Sequence, residues 1–171
     1  PWLADHAISG TVLVPGTGLL DMALAAARAV GPARVGGLTL AQPLVLHPGV
    51  PMRLQVRVGA PDDRGRRSLS VHSQPENTAD AGTWTRHATG ELDDGTNSPT
   101  AGALSGPAWP AAGGDRIDLG GFYERCHTQG LEYGPLFQGL TEAWRSGDAL
   151  YGVVRLPAPA PGTDTTPATA A

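Results

Sequence analysis

His6-Ala-Ile-Ser-Gly10-Thr-Val-Leu-Val-Pro15, followed at once by Gly16-Thr-Gly-Leu-Leu-Asp-Met-Ala-Leu-Ala-Ala-Ala-Arg-Ala-Val30, joins an extended apolar segment to a helix. Pro15 restricts Val14 to extended geometry, so the corner between the two is stiff. From Gly16 to Val30 only Asp21 and Arg28 are charged, and the run reads as a helix buried nearly all round. The acid comes early and the base late, as the helix dipole favours. A helix begun near Thr17 has first-turn N–H groups without intrahelical acceptors, and an oxyanion placed there is stabilised. His6 adds an imidazole, whose titration near neutrality suits proton transfer, at the spacing His-x3-Gly-x4-Pro. A base, an apolar lining and an anion-binding helix start therefore fall within one stretch. Taken alone, this spacing also arises by chance, and a single histidine beside an apolar run is more often a hydrogen-bonded structural residue.

Outward from this stretch the pattern is strand-rich. Residues 35–40 and 44–46 read as short strands. Residues 52–58 alternate strictly, with Met52, Leu54, Val56 and Val58 on one face. Residues 68–73 alternate likewise across a polar hairpin turn at 59–67, and residues 84–92 form a third long strand with a less regular alternation. One apolar helix followed by antiparallel strands is an α+β pattern, in which a curved sheet covers the helix. Residues 94–116 are full of Gly, Pro and Ser and read as a linker. A helix over 119–129 with Gly130 as its C-cap follows, then strands at 138–144 and 149–156 across a Ser146-Gly147-Asp148 turn. The Pro, Ala and Thr of residues 158–171 read as a disordered tail.

The 171 residues hold 24 Gly and 16 Pro, in keeping with many turns and a connector. Twelve basic against sixteen acidic side chains give a net charge of −4, which argues against a nucleic-acid partner. Cys126 has no second cysteine to pair with, and no run is long enough to cross a bilayer, so the chain reads as cytoplasmic. The five histidines and Cys126-His127 lack metal-ligand spacing, and no metal site is expected. His72 and His87 read as surface or sheet residues.

A second stretch, Gly130-Leu-Glu-Tyr133-Gly134-Pro135-Leu-Phe137-Gln138-Gly139-Leu140, gives the first its weight. In this order, and with Pro1-Trp2-Leu3-Ala4-Asp5 before His6, the two stretches resemble the dehydratase domain of modular type I polyketide synthases over most of the chain. The resemblance implies a double hotdog fold, in which each half wraps an antiparallel sheet round a central helix. Residues 1–93 would be the first hotdog without its first strand, and 117–157 the start of the second without its central helix. The implied substrate is a 3-hydroxyacyl group on the phosphopantetheine arm of an acyl carrier protein, with no cofactor in the domain itself. The implied partners are that carrier protein and neighbouring synthase domains, within a homodimer of the full enzyme.

Dehydrating such a thioester takes a base for the C2 proton, a donor for the thioester oxygen and an acid for the departing hydroxyl. By resemblance His6 is the base, and the helix start at Gly16 suits the oxygen. Leu13 and Pro15 belong to the substrate lining. Gly10 either allows close approach of substrate or is a plain turn glycine, and Tyr133 either reaches the site through its hydroxyl or is a buried aromatic. The family's acid is an aspartate in a Leu-Leu-Asp-Ala-Ala-Leu-like helix, with Gln or His four residues later, and no such segment is present. Asp148 has Gly152 four residues on, Asp164 has Ala168, and Asp5 is expected on the opposite strand face from His6. The expectation is a chain with the base but not the acid, unable to dehydrate alone. The alternatives are a related double-bond isomerase or ring-forming cyclase, and a catalytically silent hotdog scaffold. Arg64, Arg66 and Arg67 are either a carrier-protein contact or a solvated hairpin tip.

Overall fold

In the computed structural model, which describes residues 2–31, 34–76, 83–94 and 114–156, the apolar run forms α1 (Gly16–Ala29). Its N-cap is Pro15, so the helix starts one residue before Thr17 and has no side-chain cap. Leu19, Ala23 and Ala27, spaced four apart, are buried as a single stripe. Burial nearly all round is not what forms: Leu20 and Val30 remain 37% and 40% exposed, because the sheet covers one side of the helix.

Before α1, a 3-10 turn (Trp2–Asp5) leads into β1 (His6–Ile8) and β2 (Thr11–Val12). Their two-residue loop has Ser9 at φ 48° and Gly10 at φ 76°, the left-handed pair that a tight hairpin demands. Past β2, Leu13 bridges Val45, and hydrogen bonds from Val14 N–H to the Leu44 carbonyl (2.9 Å) and from Leu46 N–H to that of Val12 (2.9 Å) flank it. The expected strand at 44–46 is thus a single bridge, since its partner turns into α1 at once.

β3 (Arg34–Leu40), β4 (Met52–Pro61), β5 (Arg67–Pro75) and β6 (Thr85–Asp93) make an antiparallel sheet in the order β3-β6-β5-β4. Leu44, Leu69, Val71, Ala88 and Leu92 pack with the α1 stripe between sheet and helix. This is the helix-on-sheet arrangement of an α+β hotdog. On β4, Met52, Val56 and Val58 pack against this core, but Leu54, on an edge strand, is 43% exposed. The irregular alternation of β6 is a bulge. Pairing steps from Val71↔Ala88 to His72↔Arg86, so His87 is an extra residue and turns inward beside Ala88. His87 is consequently 3% exposed, which corrects any surface reading of it.

The second region holds β7 (Asp115–Ile117), α2 (Phe122–Thr128), β8 (Leu131–Tyr133), a 3-10 turn (Pro135–Phe137), β9 (Leu140–Ser146) and β10 (Ala149–Val154). β7 begins inside the expected linker because Asp115 pairs with Arg145, so the linker ends earlier than 116. Residues 95–113 of that linker, and the expected tail, lie outside the described residues. α2 is shorter than expected, since Gly121 at φ 64° closes a turn just before it. Gly130, at φ 82°, follows its C-terminus as anticipated. The sheet order is β10-β9-β7, and Ser146 faces Ala149 across a two-residue Gly147-Asp148 turn. Among the described residues this region has no helix comparable to α1, and no described helix in either region is long and apolar enough to cross a membrane.

A third small sheet, β2-β1-β8, links the regions. β1 is its middle strand, and His6 lies opposite Tyr133. The ladder crosses the expected boundary between residues 1–93 and 117–157.

Candidate active site

His6 opens β1 and is fastened twice to Leu13. Its Nδ1 lies 3.0 Å from the Leu13 carbonyl, and Leu13 N–H donates back to the His6 carbonyl at 3.1 Å. A carbonyl only accepts, so Nδ1 carries a proton and the neutral ring keeps its basic lone pair on Nε2. The ring packs against Phe137 (centroids 5.1 Å apart) and Tyr133 (5.9 Å), and Phe137 in turn stacks with Trp2 at 6.3 Å.

The same imidazole lines a groove of about 340 Å³ with Leu13, Val14, Gly16, Leu40 and Leu44, and residues 41–43 complete that wall. At the groove the helix begins. Gly18 and Leu19 donate to the Pro15 carbonyl at 2.8 and 3.3 Å, and the Gly16 and Thr17 N–H groups have no intrahelical acceptor by the geometry of any helix start. A Cβ on Gly16 would come within 2.9 Å of Leu40 Cδ1, so glycine keeps this approach open.

His6, Leu13 and Gly16 are therefore brought together, with buried Pro15 between the lining residues Val14 and Gly16. Tyr133 reaches His6 through its ring and stands outside the groove lining. Gly10 does not join them. It sits exposed in the hairpin loop with its N–H donating to Glu132 Oε1 at 3.1 Å, the geometry of a turn glycine.

Asp5 belongs to the 3-10 turn, not to a strand. Its carboxylate accepts Leu136 N–H at 3.1 Å, and its carbonyl accepts Gly134 N–H at 2.8 Å. A Cβ on Gly134 would overlap the Asp5 carboxyl, so these two residues need each other's shape. Asp148 lies exposed in the β9–β10 turn and Asp164 is outside the described residues. Among the described residues lining the groove, none is a carboxylic acid. At the β4–β5 tip, Arg66 pairs with Asp62 (3.0 Å) and Glu91 (3.3 Å), and Arg67 donates to the Gly59 carbonyl. Hydrogen bonds from the Arg66 and Arg64 backbones hold the Asp62 carboxyl below its usual range against a smaller opposing effect of burial. The tip is thus stabilised from within. Sequence reasoning missed the Leu40–Leu44 wall and the aromatic partners Phe137 and Trp2, although Phe137 lay inside the quoted second stretch.

Comparison with known proteins bears on this geometry. A family model described as a polyketide synthase dehydratase domain matches residues 1–74, and one described as a polyketide synthase dehydratase N-terminal domain matches residues 101–168. The pikromycin polyketide synthase component PikAII of Streptomyces venezuelae is 44% identical over 164 residues, which are 96% of this chain and 4% of that protein. A solved structure from work on dehydratase substrate selection in the borrelidin and fluvirucin polyketide synthases superposes with a TM-score of 0.81 at 40% identity, covering 92% of this chain and 54% of the other. The bifunctional dehydratase-cyclase domain of ambruticin biosynthesis gives 0.78 at 40% identity, covering 91% and 52%. The chain spans about half the length of these solved domains. Both motif-bearing stretches fall within matched segments, and the helix-on-sheet fold is common to the relatives; the chain belongs to the dehydratase domains of polyketide synthases.

Proposed function

We propose that this chain carries the base-bearing part of a dehydratase acting on a 3-hydroxyacyl thioester of an acyl carrier protein, with His6 taking the C2 proton. The observation that carries the reading is the Nδ1–H bond to the Leu13 carbonyl, which leaves Nε2 as proton acceptor on a ring lining the groove. The Gly16 and Thr17 N–H groups receive the thioester oxygen as charge develops on it, a contribution on the order of 3 kcal/mol for a well-aimed donor. Leu13, Val14, Leu40 and Leu44 give the acyl chain an apolar bed. Elimination then moves the C2 electron pair into the new C2=C3 bond, and the C3 hydroxyl leaves as water once an acid protonates it. Among the described residues lining the groove none is such an acid, and the proposal is accordingly that the chain exchanges the C2 proton without completing the loss of water. Neighbouring synthase domains complete the setting, since the chain matches only 4% of a polyketide synthase component; a homodimer of the full synthase is part of the same proposal.

The test is mass spectrometry of a 3-hydroxyacyl carrier protein in deuterated water. The expected result is deuterium at C2 with this chain, lost by at least about 100-fold in His6→Ala, and loss of water with a chain extended through the second half. Exchange surviving in His6→Ala overturns the role of the base; full dehydration by the 171 residues overturns the missing acid. The similarity to a dehydratase-cyclase keeps one second reading in view, in which the enoyl product goes on to close an oxygen ring. A cyclic ether from the extended chain would select it.

A further inference from the structure

We infer that His87 is a positioning residue of the groove, fixing the 41–44 wall that lines it with His6 and thereby setting where the acyl chain lies. The ligand's identity rests on the dehydratase reading, whereas the fixing of the wall does not. Three observations converge on it. The β6 bulge drives the His87 ring into the interior, where it is 3% exposed. Its Nδ1 lies 3.1 Å from the Gln42 carbonyl and its Nε2 2.6 Å from Ser73 Oγ. Its backbone carbonyl accepts Ala41 N–H at 2.8 Å and Gln42 N–H at 3.4 Å, so ring and backbone hold the same short segment.

The proton assignment follows from chemistry. The Gln42 carbonyl can only accept, so Nδ1 is the donor; in the neutral ring Nε2 must then accept the Ser73 hydroxyl proton. A serine hydroxyl against an imidazole oriented in this way has the parts of a nucleophilic pair. Yet Ser73 is 2% exposed, and neither it nor His87 lines the groove, so substrate does not reach it. What reaches the groove is the segment they hold: Ala41, Gln42, Pro43 and Leu44 all line it. A satisfied polar chain inside an otherwise apolar core specifies one placement of that wall, which hydrophobic contacts alone leave less defined.

The test compares His87→Asn, which keeps a donor near the Nδ1 position, with His87→Gln, which keeps a partner for Ser73 near Nε2 and withdraws the donor to Gln42. Two readouts are taken on the full chain: amide hydrogen exchange at 41–44 without ligand, and kcat and KM for C2 exchange of short and long acyl-pantetheine thioesters. In the Gln variant exchange at 41–44 is expected to rise about tenfold, with KM up about tenfold, kcat within about twofold and the preference between acyl lengths reduced. The Asn variant keeps the bond to Gln42 and gives up only the one to Ser73, so its exchange at 41–44 is expected to rise by no more than about threefold, with KM close to that of the parent. Equal behaviour of the two variants, or unchanged exchange at 41–44, overturns the inference. Should the Gln variant not fold, Ser73→Ala carries the test, with exchange at 41–44 expected to rise about threefold and no change overturning it. If the parent takes no acyl-pantetheine while the Gln variant loosens 41–44, the dehydratase reading falls and the wall assignment stands. If the parent turns over and the Gln variant leaves both readouts unchanged, the wall assignment falls alone.

Discussion

Nine buried residues, among them Leu19, Leu44, Val71 and Leu92, form one cluster between α1 and its four-stranded sheet, whereas the second region buries only Cys126 and Ala143 among the described hydrophobic residues. The first region stands on its own core. The second is held largely by edges: the β1–β8 ladder, the Asp5 bonds to Gly134 and Leu136, and the stacking of Trp2 on Phe137. The groove straddles this difference. Its lining comes from the first region, but the aromatic rings packed on His6 come from the second, so the base is anchored by one region and flanked by the other. A site built in this way combines a rigid floor with a side able to open at lower free energy.

The comparison can be broken at several points. Leu92→Ala, at a residue 1% exposed, is expected to cost about 3 kcal/mol in urea unfolding, whereas Leu150→Ala, at 66% exposure, changes stability by less than about 0.5 kcal/mol. Comparable losses from the two would show that the second region has a core of its own. Asp5→Ala is expected to cost about 0.5–1 kcal/mol by removing the bond to the exposed Leu136 N–H, which water then takes over. Its signature in hydrogen exchange is faster opening of β8 with the amides of β5 unchanged; uniform loosening would place the Asp5 contact inside a single cooperative unit.

The smallest effect is one of pH. Burial first, and then the charges of Arg57 and Arg86, hold the His72 imidazole below its ordinary 6.5. As pH falls, the unfolded chain therefore takes this proton before the folded one. The contribution is complete above about pH 6.5 and is lost as pH falls through the lower folded value. Urea midpoints for the first region are expected to drop between about pH 7.5 and about pH 5.5, and His72→Gln to lessen that drop. β9 and β10 contain no histidine, so their local exchange is expected to follow only the intrinsic pH dependence of amides.

What was legible in the sequence divides along a physical line. β4, β5 and the β9–β10 hairpin follow from period-two alternation and turn residues, which are local properties. The bulge at His87 is a matter of register against β5, and no single strand records it. α1 was legible as a helix, but its half-exposed state depends on how far a sheet reaches around it. In the site, His6 and Gly16 could be read together because the base, the strand and the helix start are contiguous. The Leu40–Leu44 wall was not, because only folding brings it beside Leu13. Gly10 left two roles open, and its positive φ and bond to Glu132 place it in the turn. Asp5 was misplaced because a 3-10 turn, not a strand, precedes His6.

The bond between Asp5 and Leu136 joins residues 131 positions apart, and the β8 edge of β1 is closed over a similar span. During synthesis α1 and its sheet can form while that edge of β1 is still bare, and the surroundings of His6 are completed only after Phe137 has left the ribosome. A pause in translating the Gly- and Pro-rich connector prolongs this interval. An unpaired strand edge is a template for pairing with another chain, so β8 protects β1 as well as positioning the rings beside His6.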